Sequence, residues 1–246
     1  MIKQAFILAG GKGTRMHPLT LATPKPLVTM AGRPLMEYLI CQLKNFGMTH
    51  LILSLGYKGE QVKEYFGNGS RYGVNIDYLI EDEPLGTAGP LLKEESLLDK
   101  NFYLANADEF TINPIDKHIA LHLSHSDAVA TIFLNTVPDI TGYGVVELDE
   151  KNEKIVKFLE KPKEDETKSR LINSGRYVVS KKILNYIKGK PPISIERQVF
   201  PKIAEDGKLY AFMPKEPVYW QSVNTIEALQ ELERHFSKGR LTWPQC

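Results

Sequence analysis

An apolar run, Ala5 to Ala9, leads without a break into Gly10-Gly11-Lys12-Gly13, three glycines within four positions. No other stretch constrains the fold as much. An apolar run without alternation reads as a strand buried on both faces. The glycines read as a turn whose backbone N–H groups stand clear of side chains, and such a turn can wrap phosphate oxygens. Thr14 and Arg15 follow, then Thr23-Pro24-Lys25-Pro26-Leu27. Arg15 brings a forked cation and Lys25 a point charge to the same region. Glycines alone could serve only to reverse the chain. Glycines with two cations and a strand in front point to phosphate.

Two familiar phosphate motifs do not fit. A P-loop needs G-x-x-x-x-G-K-[ST], but Lys12 is followed by Gly13. A dinucleotide fingerprint needs G-x-G-x-x-G opening into a helix. Here Gly11-x-Gly13-x-x is followed by Met16, and Pro18 interrupts any helix. A nicotinamide-dependent dehydrogenase therefore lacks its glycine spacing.

Strand and helix alternate through the first half. Strands are expected at Gln4 to Ala9, Thr49 to Leu55, Val74 to Ile80, Phe102 to Asn106 and Ala128 to Asn135. Helices are expected at Pro34 to Phe46, Glu60 to Phe66, Thr87 to Glu95 and Ile115 to His125, the first ended by Gly47. This order predicts an α/β fold, a Rossmann-like, mostly parallel sheet covered by helices. After Pro138 the pattern changes. Tyr143 to Leu148 and Lys154 to Leu159 read as strands joined by Asp149-Glu150-Lys151-Asn152-Glu153, a hairpin connection. Strands at Leu171 to Val179 and Leu209 to Met213 and helices at Glu196 to Glu205 and Thr225 to His235 complete a smaller mixed or antiparallel part. The expected organisation is a single domain over 1–236, with an alternating half at 1–137, a mixed half at 138–224 and a closing helix at 225–236. A tail follows at 237–246.

Composition excludes several classes. In 246 residues, 42% hydrophobic and 25% charged, the net charge is +1. That gives no electrostatic case for nucleic acid or an acidic membrane. Met1-Ile2-Lys3 runs straight into the first strand, which predicts no signal peptide, and no apolar run reaches spanning length. Cys41 and Cys246, far apart in sequence, suggest neither a disulfide framework nor a metal knuckle. A cytoplasmic location is expected.

In open parallel sheets, ligands bind at the carboxyl ends of strands. Three stretches fall there: the glycine turn, Glu81 to Gly89, and Asn106-Ala107-Asp108-Glu109. Asp108 is either a turn cap or a carboxylate held on a rigid support opposite the phosphate turn. His118, His122 and His125 share a helical face, but Ile119, Leu121 and Leu123 between them make an ordinary packed helix rather than a zinc site.

LAGGKGTRMHPLT, followed by TPKPLVTMAGRPLMEYLI, resembles the signature of sugar-1-phosphate nucleotidyltransferases, the NDP-sugar pyrophosphorylases. The resemblance continues to about Thr225 and implies their glycosyltransferase-A-like fold, with the nucleotide bound by the half at 1–137 and the sugar phosphate by the half at 138–224. It implies that Leu8, Ala9, Gly10, Gly11, Gly13, Thr14 and Arg15 bind the nucleotide, and that Lys25 meets the reacting phosphates. It also implies that Asp108 binds Mg²⁺, expected as the cofactor. EDEPLGTAG resembles the base-recognition loop, implying nucleotide-binding roles for Glu81, Gly86 and Thr87, where Thr87 can also cap the next helix. Tyr143-Gly144-Val145-Val146, Phe158-Leu159-Glu160-Lys161-Pro162 and Asn173-Ser174-Gly175 resemble sugar-phosphate motifs and imply that Gly144, Glu160, Lys161 and Asn173 bind that substrate. For Glu160 and Lys161 a surface ion pair is the plainer alternative.

One departure matters. The family usually carries Trp-x-Asp-Val-Gly-Thr near its end, and that aspartate helps hold metal. Here Trp220-Gln221-Ser222-Val223-Asn224-Thr225 puts a neutral serine at the aspartate position. Either metal relies on Asp108, phosphates and water, or activity is reduced. The expected reaction joins a nucleoside triphosphate to a sugar 1-phosphate and releases pyrophosphate. EDEPLGTAG is closest to the guanylyltransferase branch, which favours GTP with mannose 1-phosphate or a manno-configured heptose 1-phosphate. Uridylyl or thymidylyl transfer, to glucose 1-phosphate for example, is the alternative. A weakly catalytic, nucleotide-sugar-binding regulatory subunit is the rival from another class. The substrates are the expected partners, and a homo-oligomer stays open.

Overall fold

The computed structural model describes residues 2–151 and 153–246. In chain order the strands are β1 (Gln4–Ala9), β2 (Thr29–Met30), β3 (Arg33–Pro34), β4 (His50–Leu55), β5 (Asn75–Ile80), β6 (Asn101–Asn106), β7 (Glu109–Thr111), β8 (Ala130–Thr136), β9 (Gly144–Leu148), β10 (Ile155–Glu160), β11 (Leu171–Ser180), β12 (Leu209–Phe212) and β13 (Trp220–Ser222). The helices are α1 (Leu19–Ala22), α2 (Leu35–Asn45), α3 (Gly59–Phe66), α4 (Gly89–Lys93), α5 (Ile115–Ser124), α6 (Phe200–Glu205) and α7 (Ile226–Ser237). The chain forms two compact units. The first comprises Met1–Pro84, Ala105–Ile112 and Tyr219–Cys246, and the second Leu85–Leu104 and Asn113–Val218.

In the first unit β1, β4 and β5 run parallel, with Phe6 opposite Ile52 and Ile52 opposite Asp77. Ala5, Phe6, Ile7, Leu51, Ile52 and Leu53 have no exposed surface. This is the burial on both faces that an unalternating apolar strand requires. Helix α2 starts after Pro34 and stops before Gly47, whose φ of 84° is left-handed. Glu37 in its first turn and Lys44 in its last complement the helix dipole.

One apolar cluster of this unit gathers Met16, Val28, Met30, Leu35, Tyr38, Phe110, Val223, Leu229, Leu232 and Leu241. Met16 follows Arg15, Val28 lies three residues past Lys25, Phe110 two past Asp108, and Val223 stands between Ser222 and Asn224. Burying each such side chain contributes about 1.5–3 kcal/mol. The cluster thus fixes four segments whose neighbouring residues are polar.

The tail closes this cluster, and here the reading of the cysteines is corrected. Cys41 and Cys246 form a disulfide, their Cα atoms 4.8 Å apart. Trp243 packs on Tyr38 and Phe236, and Asn45 Nδ2 donates to the Gln245 carbonyl at 2.7 Å. Docking of the tail brings the sulfurs together. A separation of 205 residues carried no hint of it.

In the second unit β10, β9, β11 and β8 pair antiparallel in that order, and β12 lies parallel to β8. Strand β8, which alternation grouped with the parallel half, therefore belongs to the mixed ladder. Its buried face receives α5: His118 Nε2 donates to the Thr131 carbonyl at 3.0 Å, and His122 Nδ1 lies 2.9 Å from Thr131 Oγ1. Burial lowers the pKa of His118 to about 3 and that of His122 to about 4. In the β9–β10 connection Asp149 Oδ1 accepts from the Glu153 and Lys154 N–H groups. Asn152 of the expected hairpin lies outside the described residues.

Candidate active site

The glycine turn stands at the end of β1. Gly10 and Gly11 are exposed, and a Cβ on Gly11 would meet nothing within 4 Å. Gly13 has φ 63° and leads into a 3-10 turn, Thr14–Met16. Thr20 Oγ1 donates to the Gly13 carbonyl at 2.7 Å, and the buried Met16 anchors the turn from below. Arg15 is exposed, so its guanidinium is open to a ligand. Sequence reasoning missed Gly56. A Cβ there would lie 2.4 Å from the Gly10 carbonyl oxygen, so only glycine lets the end of β4 pass the turn.

Asp108 joins this turn from the end of β6. The Ala107 N–H donates to the Leu8 carbonyl at 3.0 Å, which sets the segment beside β1. Lys25 lies in a 3-10 turn after Pro24, and its Nζ donates to Asp108 Oδ2 at 2.9 Å. The same Nζ donates to Asn224 Oδ1 at 2.6 Å. The Lys25 side chain is only 11% exposed and that of Asp108 34%. The structure thus gathers the glycine turn, Lys25 and Asp108 in one unit.

Neither β7 nor β13 was expected, because three residues each are too few for a readable period. They pair antiparallel, with Ser222 opposite Glu109. The Val223 N–H donates to the Asp108 carbonyl at 2.8 Å and ties the Trp220–Asn224 segment to the acid. Ser222 Oγ donates to Glu109 Oε1 at 3.1 Å, and Asn224 Nδ2 donates to Ser222 Oγ. For a divalent cation this donor set offers Asp108 as an anionic ligand. The serine is neutral, and its proton is given to Glu109. That fits a site completed by phosphates and water, since Mg²⁺ commonly takes only one or two carboxylates.

Glu81 follows β5 directly. Ser54 Oγ donates to its Oε1 at 2.5 Å, and a Cβ on Gly10 would lie 3.1 Å from the same oxygen. A carboxylate therefore borders the glycine turn, while Asp82 and Glu83 are exposed.

The remaining residues lie in the second unit. Gly86 has φ 80°, and a Cβ there would come within 2.4 Å of the Ile193 carbonyl oxygen. Its freedom serves a backbone crossing, with the Ile193 N–H donating to Leu85 and the Ala88 N–H to Ile193, both at 2.9 Å. Thr87 does not cap α4, whose N-cap is Ala88 without a side-chain bond. Its hydroxyl instead donates to Glu196 Oε2 at 2.7 Å and accepts from the Ile195 N–H at 2.8 Å.

Glu160 ends β10 with its carboxylate 3.6 Å from Lys161 Nζ. Burial first, then the nearby charge of Glu196, raises the Glu160 pKa, against the pull of Lys161 and Arg197. Lys161 has φ 54°, rare for a side chain with Cβ, and is 56% exposed. Gly144 lies opposite Glu160 in the ladder, and a Cβ there would sit 2.8 Å from the Phe158 ring and 3.1 Å from Glu160 Oε2. Asn173 uses its amide locally. It accepts from the Gly175 N–H at 3.1 Å and donates to Tyr177 Oη at 2.9 Å, across a break in the β11 register.

Known proteins share this architecture. UDP-glucose pyrophosphorylase complexed with UDP-glucose matches with a TM-score of 0.83 at 22% identity, over 98% of this chain and all of that one, a likeness of fold. HddC from Yersinia pseudotuberculosis complexed with GMP-PN matches with a TM-score of 0.76 at 29% identity, covering 96% of this chain and 100% of HddC. In sequence, mannose-1-phosphate guanyltransferase beta-A of Xenopus laevis is 38% identical over 212 residues, 85% of this chain and 58% of that protein. The chain thus spans about three-fifths of the length of the curated mannose-1-phosphate guanyltransferases it matches. The sequence profile described as Nucleotidyl transferase matches residues 4–239, and the chain belongs to that family.

Proposed function

We propose that this chain transfers a guanylyl group from GTP to mannose 1-phosphate, or to a manno-configured heptose 1-phosphate, releasing pyrophosphate. The observation that carries the reading is the Lys25–Asp108 ion pair beside the glycine turn. The similarity to mannose-1-phosphate guanyltransferases supports the choice of substrates.

The first unit binds the nucleotide. Backbone N–H groups of Gly10, Gly11, Gly13 and Thr14 wrap the phosphates, Leu8 and Ala9 support the turn, and Arg15 neutralises the leaving pyrophosphate. Lys25 draws charge from the α-phosphate as the sugar phosphate oxygen attacks in line. Asp108 would hold Mg²⁺, which when bound neutralises triphosphate charge. Glu81 reads the base. Guanine presents its ring N–H and exocyclic amine side by side, and a carboxylate accepts both. Uracil and thymine flank their one donor with carbonyl oxygens, which a carboxylate repels. The second unit binds the sugar phosphate through Glu160, Lys161, Gly144 and Asn173, with Gly86 and Thr87 in the base loop. No proton shuttle or covalent intermediate is needed; alignment and charge neutralisation carry the rate. No helix is long and apolar enough to cross a membrane among the described residues. Use of a nucleoside triphosphate favours the cytoplasm, where Cys41–Cys246 would face reduction.

The test is a pyrophosphate-release screen of GTP, UTP and dTTP against mannose, manno-heptose and glucose 1-phosphates, run on the wild type and on Glu81→Gln. GTP should be preferred by more than about tenfold in kcat/KM, and Glu81→Gln should erode that preference by about tenfold or more. A wild type that prefers UTP or dTTP, or a Gln variant with unchanged GTP use, overturns the base assignment. Tight nucleotide-sugar binding without turnover on any pair would mark a regulatory subunit, the reading that neutral Ser222 favours.

A further inference from the structure

Lys25 is held by a hydrogen-bonded chain with only one self-consistent direction. One end is Glu109 Oε1, which accepts; the other is the Lys25 ammonium, which only donates. Ser222 therefore gives its single proton to Glu109 Oε1. Its oxygen is left to accept, and does so from Asn224 Nδ2. With its NH₂ group so committed, Asn224 must turn its carbonyl oxygen to Lys25 Nζ, 2.6 Å away. Flipping the amide would set donor against donor at both contacts. The two ends thus fix the orientation of a neutral side chain between them.

We propose that Asn224 is a positioning residue that fixes the direction of Lys25, replacing by a neutral hydrogen-bonded arm part of the order that a second carboxylate would give. This rests on the reading of Lys25 as the phosphate-binding lysine. Lysine is a point charge on a flexible four-carbon stem and does not aim itself. Asp108 takes one N–H and Asn224 a second from a different segment, which directs the third. The ladder register explains why residue 222 is not acidic here. Ser222 lies directly opposite Glu109, and like charges in that relation destabilise a strand pair. Glu109 lies one strand across, and Ser222 and Asn224 connect it to Lys25.

The experiment is a double-mutant cycle on the full chain: Asn224→Ala, Lys25→Ala and both together, assayed with GTP and mannose 1-phosphate. Asn224→Ala should lower kcat about tenfold while both KM values stay within about threefold, and should cost nothing further once Lys25 is alanine. Asn224→Asp, which keeps an oxygen toward Lys25 but loses the donor to Ser222 Oγ, should recover part of the loss. In parallel, acylation of Lys25 by N-hydroxysuccinimidyl acetate, mapped by mass spectrometry, should quicken about threefold or more in Asn224→Ala, because the reagent takes the amine once its proton has left, and a nitrogen no longer tethered to Asn224 Oδ1 is more open to it. Acylation of Lys161 should not change. An equal kcat loss in the Lys25→Ala background, or unchanged Lys25 acylation, overturns the inference. If the wild type turns over no substrate pair, the proposed reaction falls and the acylation arm alone decides whether Asn224 restrains Lys25.

Discussion

The two lysines proposed to bind phosphate are held in opposite ways. Lys25 is 11% exposed and gripped by Asp108 and Asn224, residues 83 and 199 positions away. Lys161 is 56% exposed, and its nearest charged partner is its own neighbour, Glu160, at 3.6 Å. A side chain already ordered before the ligand arrives loses little rotamer entropy on binding, whereas a free lysine pays up to about 2 kcal/mol. The two arrangements suit different tasks. A fixed charge can be aimed at the transition state, while a mobile one mainly captures substrate.

The largest expected effect tests that difference directly. Lys25→Ala should lower kcat by about a hundredfold or more with modest change in KM, as for loss of one preorganised donor. Lys161→Ala should raise the KM for sugar 1-phosphate about tenfold and leave kcat within about threefold. Steady-state kinetics with each substrate varied in turn decides it. Equal losses in kcat from both variants would mean that the two lysines act alike.

The same contrast governs what could be read beforehand. Glu160 and Lys161 are sequence neighbours after an apolar strand, so their proximity was legible; the left-handed φ of Lys161 was not. The pairing of Lys25 with Asp108 was foreshadowed, because a glycine turn, a cation and a strand-end acid all fall where a parallel sheet binds ligands. The arm through Asn224 was hidden. It depends on the β7–β13 ladder, whose strands are three residues long and more than a hundred residues apart. Helices such as α2 showed their Pro and Gly boundaries, yet Thr87 looked like a cap and bonds Glu196 instead. Local chemistry marks element ends, but a hydroxyl's partner is settled only by what the fold brings to it.

A smaller effect is expected from the tail of the first unit. The Cys41–Cys246 bond pins a tail whose Leu241 and Trp243 close the apolar cluster behind Arg15, Lys25 and Asp108. Cross-linking a loop this long stabilises by about 2–4 kcal/mol, chiefly by restricting the unfolded chain. Reduction, or Cys246→Ser, should therefore lower the unfolding midpoint clearly. Leu241, Trp243 and the Asn45–Gln245 bond still dock the tail, so kcat should fall less than about threefold and the KM for sugar phosphate should not move. Dithiothreitol should have no added effect on Cys246→Ser, and the same midpoint shift in that variant as in the wild type would exclude the bond as its cause.

The smallest effect probes the second unit, where Lys161 lies, through acid. His118 is fully buried among Tyr103, Phe133 and Phe212, and His122 lies one turn on against Thr131, with His125 stacked on Tyr210 at the helix end. Burial lowers their pKa values from 6.5 to about 3 and about 4. As pH drops below 6.5 the unfolded chain takes up protons at both positions while the folded chain does not, so stability falls with falling pH. Each histidine adds a slope of up to about 1.4 kcal/mol per pH unit, until the folded protein itself titrates near pH 4 for His122 and pH 3 for His118. Between pH 6.5 and 5 carboxylates of ordinary pKa contribute little, and Glu160, whose pKa burial raises, opposes the decline equally in every variant, so the difference between variants isolates the histidines. Denaturant unfolding across it should show stability declining in the wild type. His122→Gln keeps a polar group for Thr131 but does not titrate, and should lose about half of the decline; His118→Phe should lose the other part at the cost of the bond to the Thr131 carbonyl. Slopes equal to wild type in both variants would mean that these imidazoles are protonated within the fold, and that α5 does not bury them as its packing on β8 requires.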